Sequence, residues 1–158
     1  MICTKTTLAY YDRKEPVVVR VDASIKGLGT VIFQNNRPIG FASKALTPAE
    51  TRYANIEREL LAVVFGCEKF HSYLYGRSFV VKTDHRPLEQ IHKNNLMQAR
   101  PRLQKMPLRL QPYDCVIKYL PGRQMVTANA LSRLSPMDTF DVPDMNVQLH
   151  HLIRITPS

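Results

Sequence analysis

The strongest constraint on the fold is a change in hydrophobic period near Thr47. Before it, β-branched runs separated by short links predict three strands, at 17–22, 28–34 and 38–44. After it, apolar residues recur every three or four positions, which is typical of one face of an amphipathic helix. This stripe consists of Ile56, Leu60, Val63, Cys67, Phe70 and Leu74. The pattern therefore predicts an antiparallel meander followed by a helix that lies on a core.

Local signals place the ends of these elements. Asn35-Asn36 predicts a hairpin turn between the second and third strands. Thr47 and Glu50 form a capping-box pattern around Pro48, so we expect one long helix from Pro48 to Tyr75 with Gly76 as its stop.

Shorter elements are expected in the second half of the chain. They are a strand at 78–83, a short helix at 87–92, a helical stretch within 98–110, a strand at 114–119, a turn at 121–122 and a closing helix at 126–134. The helical stretch should begin near Pro101 and be kinked or broken near Pro107, since proline removes a backbone donor.

The resulting order β-β-β-α-β-α-β-α requires a mixed sheet, because the strand after the long helix can return parallel to the first strand by a crossover. We therefore predict an α/β fold with a five-stranded mixed sheet, in which the first three strands are antiparallel and helices flank the sheet.

Composition narrows the class of protein. The 158 residues fit one domain, and no apolar run approaches the ~20 residues of a membrane span. The amino terminus lacks a signal-peptide core and the three cysteines form no CxxC pair, so we expect an intracellular protein without a membrane partner. A formal net charge of +9 favours a polyanionic partner, nucleic acid first. The basic stretch 93–123 should supply part of that surface, although a solvated helix face is the simpler interpretation.

Three acids are candidates for a metal site. Asp22 ends the first predicted strand, Asp84 follows the fourth, and Glu59 lies beside the apolar stripe of the long helix. If the two strands are adjacent and parallel, the three carboxylates converge. Clustered carboxylates raise one another's pKa values unless cations fill the cluster, and hard oxygen ligands suit Mg²⁺ or Mn²⁺. Taken singly, each acid is also compatible with a turn or an exposed helix face.

Several long motifs resemble the ribonuclease H domain of gypsy-type LTR retrotransposon polyproteins. In unbroken order from about Leu8 to Leu134 they are VDASIKGLGTVIFQ, RYANIERELLAVVFGCEKFHSYLYG, VVKTDHRPLEQI, PRLQKMPLRLQPYDCVIKYLPG and ANALSRL. The resemblance implies a ribonuclease H-like fold that cleaves the RNA strand of RNA–DNA hybrids with two Mg²⁺ ions, for which Mn²⁺ can substitute. It also implies that Asp22, Glu59 and Asp84 are the first three catalytic, metal-binding acids.

The fourth acidic position departs from the family pattern. The family usually shows A-D-x-L-S-R in the closing helix, whereas this sequence has Asn129 where an Asp is expected. An asparagine keeps a carbonyl oxygen as a ligand but brings no charge, so the second cation should be held more weakly.

Four further residues are candidates for contacts with nucleic acid: Ser24, His85, Tyr119 and Arg123. Ser24 lies next to the expected metal site and could bond a 2′-hydroxyl or a phosphate. For two of the others the alternatives are structural, since His85 could be a polar residue at a helix start and Tyr119 a core or hairpin partner in a strand.

The resemblance also sets expectations for organisation and context. Residues 1–14 would connect to an upstream polymerase region, 15–134 would form the ribonuclease H domain, and 135–158 would be a tail or linker. The expected partners are an RNA–DNA hybrid and the reverse transcriptase domain of the same polyprotein, in a cytoplasmic retrotransposon particle or the nucleus.

Two other functions remain open. An integrase or transposase of the same fold is disfavoured because Glu59 lies between Asp22 and Asp84, whereas the catalytic Glu of those families follows the second Asp. A catalytically impaired or domesticated nucleic-acid-binding module is the other alternative, and Asn129 is its only support.

Overall fold

The structure is a computed structural model that describes residues 8–93 and 101–121, with the backbone alone described at 91–93. Its strands are β1 Val18–Ala23, β2 Gly27–Gln34, β3 Arg37–Ala45, β4 Ser78–Thr83 and β5 Asp114–Tyr119. Its α-helices are α1 Asn55–Lys69, α2 His71–Leu74, α3 Arg86–Lys93 and α4 Pro101–Leu110. The predicted turn at 121–122, closing helix at 126–134 and tail at 135–158 extend beyond these described ranges.

The described strands form one five-stranded sheet in the order β3-β2-β1-β4-β5. β1, β2 and β3 pair antiparallel, while β4 lies parallel to both β1 and β5. The predicted mixed sheet is therefore confirmed. Asn35 and Asn36 have φ angles of 52° and 59°, which are the left-handed values that a tight hairpin turn requires and that asparagine tolerates.

The prediction of one continuous helix from Pro48 to Tyr75 was wrong. The Thr47–Glu50 capping box closes only a 3₁₀ turn at Glu50–Arg52, with the Glu50 N–H donating to Thr47 Oγ1 at 3.2 Å. Ala54 is then extended, with ψ 155°, and its N–H donates to a carboxylate oxygen of Glu57 at 2.9 Å. A second capping carboxylate thus starts α1 at Asn55, seven residues later than Pro48.

The other end of the long helix is also divided. Phe70, at φ −100° and ψ 27°, separates α1 from α2, so the apolar stripe continues across a short interruption. The stop at Gly76 is consistent with its φ of 80°.

Within the described residues, helix α4 spans Pro101–Leu110 and runs through Pro107 without the predicted break. Its buried residues Leu103, Met106 and Leu110 recur at helical spacing, and α4 packs against α1. This packing offsets the hydrogen bond that the proline removes.

Two ion pairs hold α4 alongside α1. Arg102 lies 3.5 Å from the buried carboxylate of Glu57, and Arg109 binds Glu68 through two hydrogen bonds of 2.7 Å. These two arginines belong to the basic stretch 93–123, so part of its charge is neutralised within the fold rather than offered to a partner.

The core lies between α1 and one face of the sheet, and Gly66 sets how closely they approach. A Cβ at Gly66 would lie 2.7 Å from Thr30 Oγ1 and 3.2 Å from Val21, closer than side chains normally come. The glycine therefore lets α1 lie directly on β1 and β2. None of the described helices has the length and apolar character needed to cross a membrane.

The segment before β1 is hydrogen-bonded to Gln34 at the end of β2 and to Arg77, which precedes β4. Gln34 exchanges hydrogen bonds with the backbone of Asp12 and also donates to the Glu15 carbonyl at 3.0 Å. Arg77 donates to Tyr11 and to the Glu15 carbonyl. The predicted boundary between a connecting segment and the domain, at residues 14 and 15, stays a prediction.

Candidate active site

Three carboxylates meet at one edge of the sheet. Asp22 lies near the end of β1 and Asp84 directly follows β4, and because these strands are parallel neighbours both acids reach the same edge. Glu59 comes from the first half of α1. One ligand oxygen from each residue lies within 4.8 Å of the other two. The three acids that the sequence singled out are therefore brought together by three separate elements.

Burial makes this cluster electrostatically costly. Asp22 and Glu59 are only 5% and 4% exposed. Burial, together with the negative charges of Asp22 and Asp84, raises the pKa of Glu59 to about 9, against the opposing effects of Arg58 and the Ala23 backbone. Glu59 Oε2 is buried and accepts no hydrogen bond from any described residue. A hard cation would both neutralise this cluster and satisfy that oxygen, so the donor set fits a divalent metal such as Mg²⁺.

The raised pKa predicts how folding stability depends on pH without metal. Glu59 is protonated in the folded protein up to about pH 9, whereas in the unfolded chain it ionises near the ordinary glutamate pKa of 4.5. The folded state therefore binds the extra proton between these values, and its stability should fall as pH rises through that window, by up to about 1.4 kcal/mol per pH unit.

Chemical denaturation in EDTA at a series of pH values measures this dependence. Glu59→Gln should remove it, and adding Mg²⁺ to the unsubstituted protein should restore stability most at the high-pH end. An identical pH profile for Glu59→Gln would show that Glu59 is not the group responsible.

Ser24 holds the turn between β1 and β2. Its hydroxyl oxygen accepts the N–H groups of Lys26 and Gly27 at 3.2 and 3.1 Å, and it lies 3.3 Å from the Gly27 carbonyl, to which it donates. These bonds give Ser24 a structural role in the turn. A contact with nucleic acid stays a prediction.

His85 and Tyr119 lie at the same end of the sheet as the carboxylates. The His85 backbone N–H donates to Thr83 Oγ1 at 3.1 Å, and Thr83 pairs in register with Tyr119. Burial lowers the pKa of the His85 imidazole, although the Asp84 charge opposes that shift. Of the remaining predicted site residues, Asn129 and Arg123 lie outside the described ranges.

Arg86 is a neighbour of the site that sequence reasoning missed. Its guanidinium lies over the Tyr119 ring, 4.7 Å from the centroid, and the side chain is exposed two residues after Asp84. Because Arg86 directly follows Asp84 and His85, its position in the sequence could have indicated that it lies beside the site.

Solved structures with the same architecture define the class. The N-terminal RNase H domain of a Mycobacterium tuberculosis protein superposes with a TM-score of 0.61 at 16% identity, covering 85% of this chain and 98% of that one. A foamy viral protease-reverse transcriptase in complex with an RNA/DNA hybrid gives a TM-score of 0.60 at 21% identity, covering 72% of this chain and 16% of that one. The fold is that of ribonuclease H.

Sequence comparison narrows the class to a family. Residues 12–113 match the model for the RNase H-like domain found in reverse transcriptase. The Pol polyproteins of the Drosophila melanogaster transposons 297 and gypsy are 40% and 36% identical over 78% and 80% of this chain. The chain therefore belongs to the RNase H-like domains of reverse transcriptases and is related to gypsy-type retrotransposon Pol polyproteins. It spans only 11% and 12% of the length of these two relatives.

Proposed function

We propose that this domain is an endoribonuclease that cleaves the RNA strand of RNA–DNA hybrids during retrotransposon reverse transcription. The observation that carries the proposal is the convergence of Asp22, Glu59 and Asp84 within 4.8 Å at one edge of a ribonuclease H sheet. Family membership supports it, since the matching model describes an RNase H-like domain of reverse transcriptase.

The roles of the chain's own residues follow from this geometry. Asp22 and Asp84 hold their carboxylates at the ends of two adjacent parallel strands, and Glu59 supplies a buried third carboxylate. We assign these residues as ligands of two Mg²⁺ ions, with Asn129 as a weaker fourth ligand. When bound, such ions would supply an activated water and would stabilise the leaving oxygen of a phosphodiester. The protein's part is to fix the ligand positions before the substrate arrives.

The deciding experiment is digestion of an end-labelled RNA–DNA hybrid with Mg²⁺ or Mn²⁺. Cleavage of the RNA strand that requires the metal, with the matching single-stranded RNA and double-stranded DNA left intact, is the expected result. Failure to cleave the hybrid with either metal would leave binding alone as the function of the domain.

The alternative is an impaired or domesticated module that binds nucleic acid without cleaving it. Asn129 favours it, because the fourth position lacks the charge of an aspartate. The three carboxylates, whose ligand oxygens lie within 4.8 Å of one another, favour the nuclease.

The cellular context is proposed from the relatives. They are Pol polyproteins of which this chain matches about a tenth, so we propose that the domain works joined to the reverse transcriptase domain of the same polyprotein. Its place would then be a cytoplasmic retrotransposon particle, or the nucleus.

A further inference from the structure

Strand register brings three basic residues together that the sequence keeps far apart. Arg20 of β1 pairs with Lys82 of β4, and Lys82 pairs with Lys118 of β5. Residues in register on neighbouring strands point to the same face, so these cations form one row across the sheet. With strands about 4.8 Å apart, the row spans about 10 Å. We call it the basic row.

The basic row lies on the face of the sheet that does not receive α1. Val19 and Val21, which alternate with Arg20, belong to the core between the sheet and α1. Arg20 is half-buried, with its guanidinium 4.3 Å from the centroid of the Phe33 ring, whereas Lys118 is exposed and Lys82 half-buried. Neither lysine forms an ion pair with any residue that the structure describes.

Like charges directly opposite each other on neighbouring strands destabilise a sheet. The nearest counter-charges along the strands are Asp22 and Asp84, each two residues beyond Arg20 and Lys82, or about 6.6 Å along the strand. Those carboxylates are the proposed metal ligands. Neither Lys82 nor Lys118 is paired with them, so the two lysine charges are available to an anion from solution whether or not cations occupy the cluster.

We propose that the basic row is a backbone-binding track for nucleic acid, in which Lys82 and Lys118 contact phosphates next to the cleavage site. This inference rests on the proposed function, and it adds the surface on which the backbone of the nucleic acid binds. The row runs parallel to the line joining the ends of β1 and β4, so a strand that crosses the carboxylates can follow it. Phosphates on one strand advance by about 3.4 Å along the duplex axis, which lets a 10 Å row reach two or three of them.

The test compares two double variants in the full chain. Lys82→Gln/Lys118→Gln removes two charges from the basic row. Arg13→Gln/Lys14→Gln removes two exposed charges that precede β1, at the opposite end of that strand from Asp22. Affinity for a labelled RNA–DNA hybrid and for double-stranded DNA is measured in EDTA between about 50 and 200 mM salt, so that binding is observed without cleavage.

We expect the basic-row variant to bind about tenfold or more weakly at the lowest salt. The slope of log affinity against log salt should become shallower by about two, because each lost phosphate contact contributes about 0.9. The control should keep the slope of the unsubstituted protein. Both duplexes should be affected alike, since phosphates are common to them. Thermal unfolding should show an unchanged or raised Tm for the basic-row variant, because like charges have been removed from adjacent strands.

A basic-row variant whose salt slope equals that of the control would overturn the proposal. A loss of affinity for the hybrid alone, with affinity for double-stranded DNA unchanged, would also overturn it, because that result would indicate recognition of 2′-hydroxyls. If the double variant unfolds, the single Lys118→Gln variant, at an exposed position, decides the question with an expected change in slope of about one. Cleavage of the hybrid by the unsubstituted protein with Mg²⁺ is scored separately. If the unsubstituted protein does not cleave, but the basic-row variant still has a shallower salt slope, the nuclease proposal is contradicted and the basic-row proposal is not.

Discussion

Replacing Asp84 by Asn should slow cleavage of an RNA–DNA hybrid by about a thousandfold or more, while making the metal-free protein more stable. The carboxylate shares a 4.8 Å cluster with Asp22 and Glu59. A unit charge about 4 Å from a cation at an effective dielectric near 20 contributes about 4 kcal/mol, which corresponds to about a thousandfold in rate. Without metal the same charge repels the carboxylates of Asp22 and Glu59, and it is one cause of the raised pKa of Glu59.

Single-turnover cleavage rates and thermal unfolding in EDTA measure the two effects. Asp114→Asn is the matched control, since Asp114 is an exposed aspartate at the start of β5, away from the edge where β1 and β4 end. It should leave the cleavage rate within about twofold, because a distant exposed charge is screened. If Asp84→Asn retained most of the activity, Asp84 would not be a metal ligand of the reaction.

Asn129→Asp should raise activity at low Mg²⁺ and matter less at high Mg²⁺ or with Mn²⁺. The three carboxylates already supply most of the ligand oxygens, and an aspartate would add a charge near the second ion. The gross Coulomb gain of about 4 kcal/mol is reduced by the hydration that the aspartate loses and by repulsion from its fellow carboxylates. A net gain of about one to three kcal/mol means roughly fivefold to a hundredfold or more in metal affinity or rate.

Cleavage rates titrated against Mg²⁺ for both proteins separate two effects. A weakly bound ion is recovered by adding metal, whereas a misoriented water is not. Cleavage that appears only in Asn129→Asp, at every metal concentration, would mean that the fourth acid is essential and that Asn129 is not merely a weaker ligand. Cleavage by neither protein would favour the binding module.

Much of the candidate site could be predicted because it depends on local patterns and on one topological rule. The runs at 78–83 and 114–119 were predicted at their observed bounds, since β-branched residues and flanking turn residues mark them clearly. A crossover through a helix makes the next strand parallel, and parallel neighbours end at the same edge of a sheet. The order of the elements along the chain was therefore enough to expect Asp22 and Asp84 side by side.

The continuity of the long helix could not be predicted in the same way. Both Glu50 and Glu57 stand where a capping carboxylate can start a helix, and the sequence does not say which one does. The choice depends on tertiary contacts, because Glu57 is buried and paired with Arg102 on α4, a helix 45 positions away. Pro107 shows the same limit, since packing of α4 on α1 retains a helix that local propensity would end.

By itself, the sequence determined the order of the five described strands, the family and the three acids, since periodicity, capping residues and motifs are properties of neighbouring positions. Only the tertiary structure decided where the positive charge lies. Arg102 and Arg109 belong to one basic stretch that was expected to face a partner, yet they bind Glu57 and Glu68. Arg20, Lys82 and Lys118 are scattered along the chain and still form one row. The physical reason is strand register, which is set by hydrogen bonds and packing between distant segments and leaves no periodic trace in the sequence.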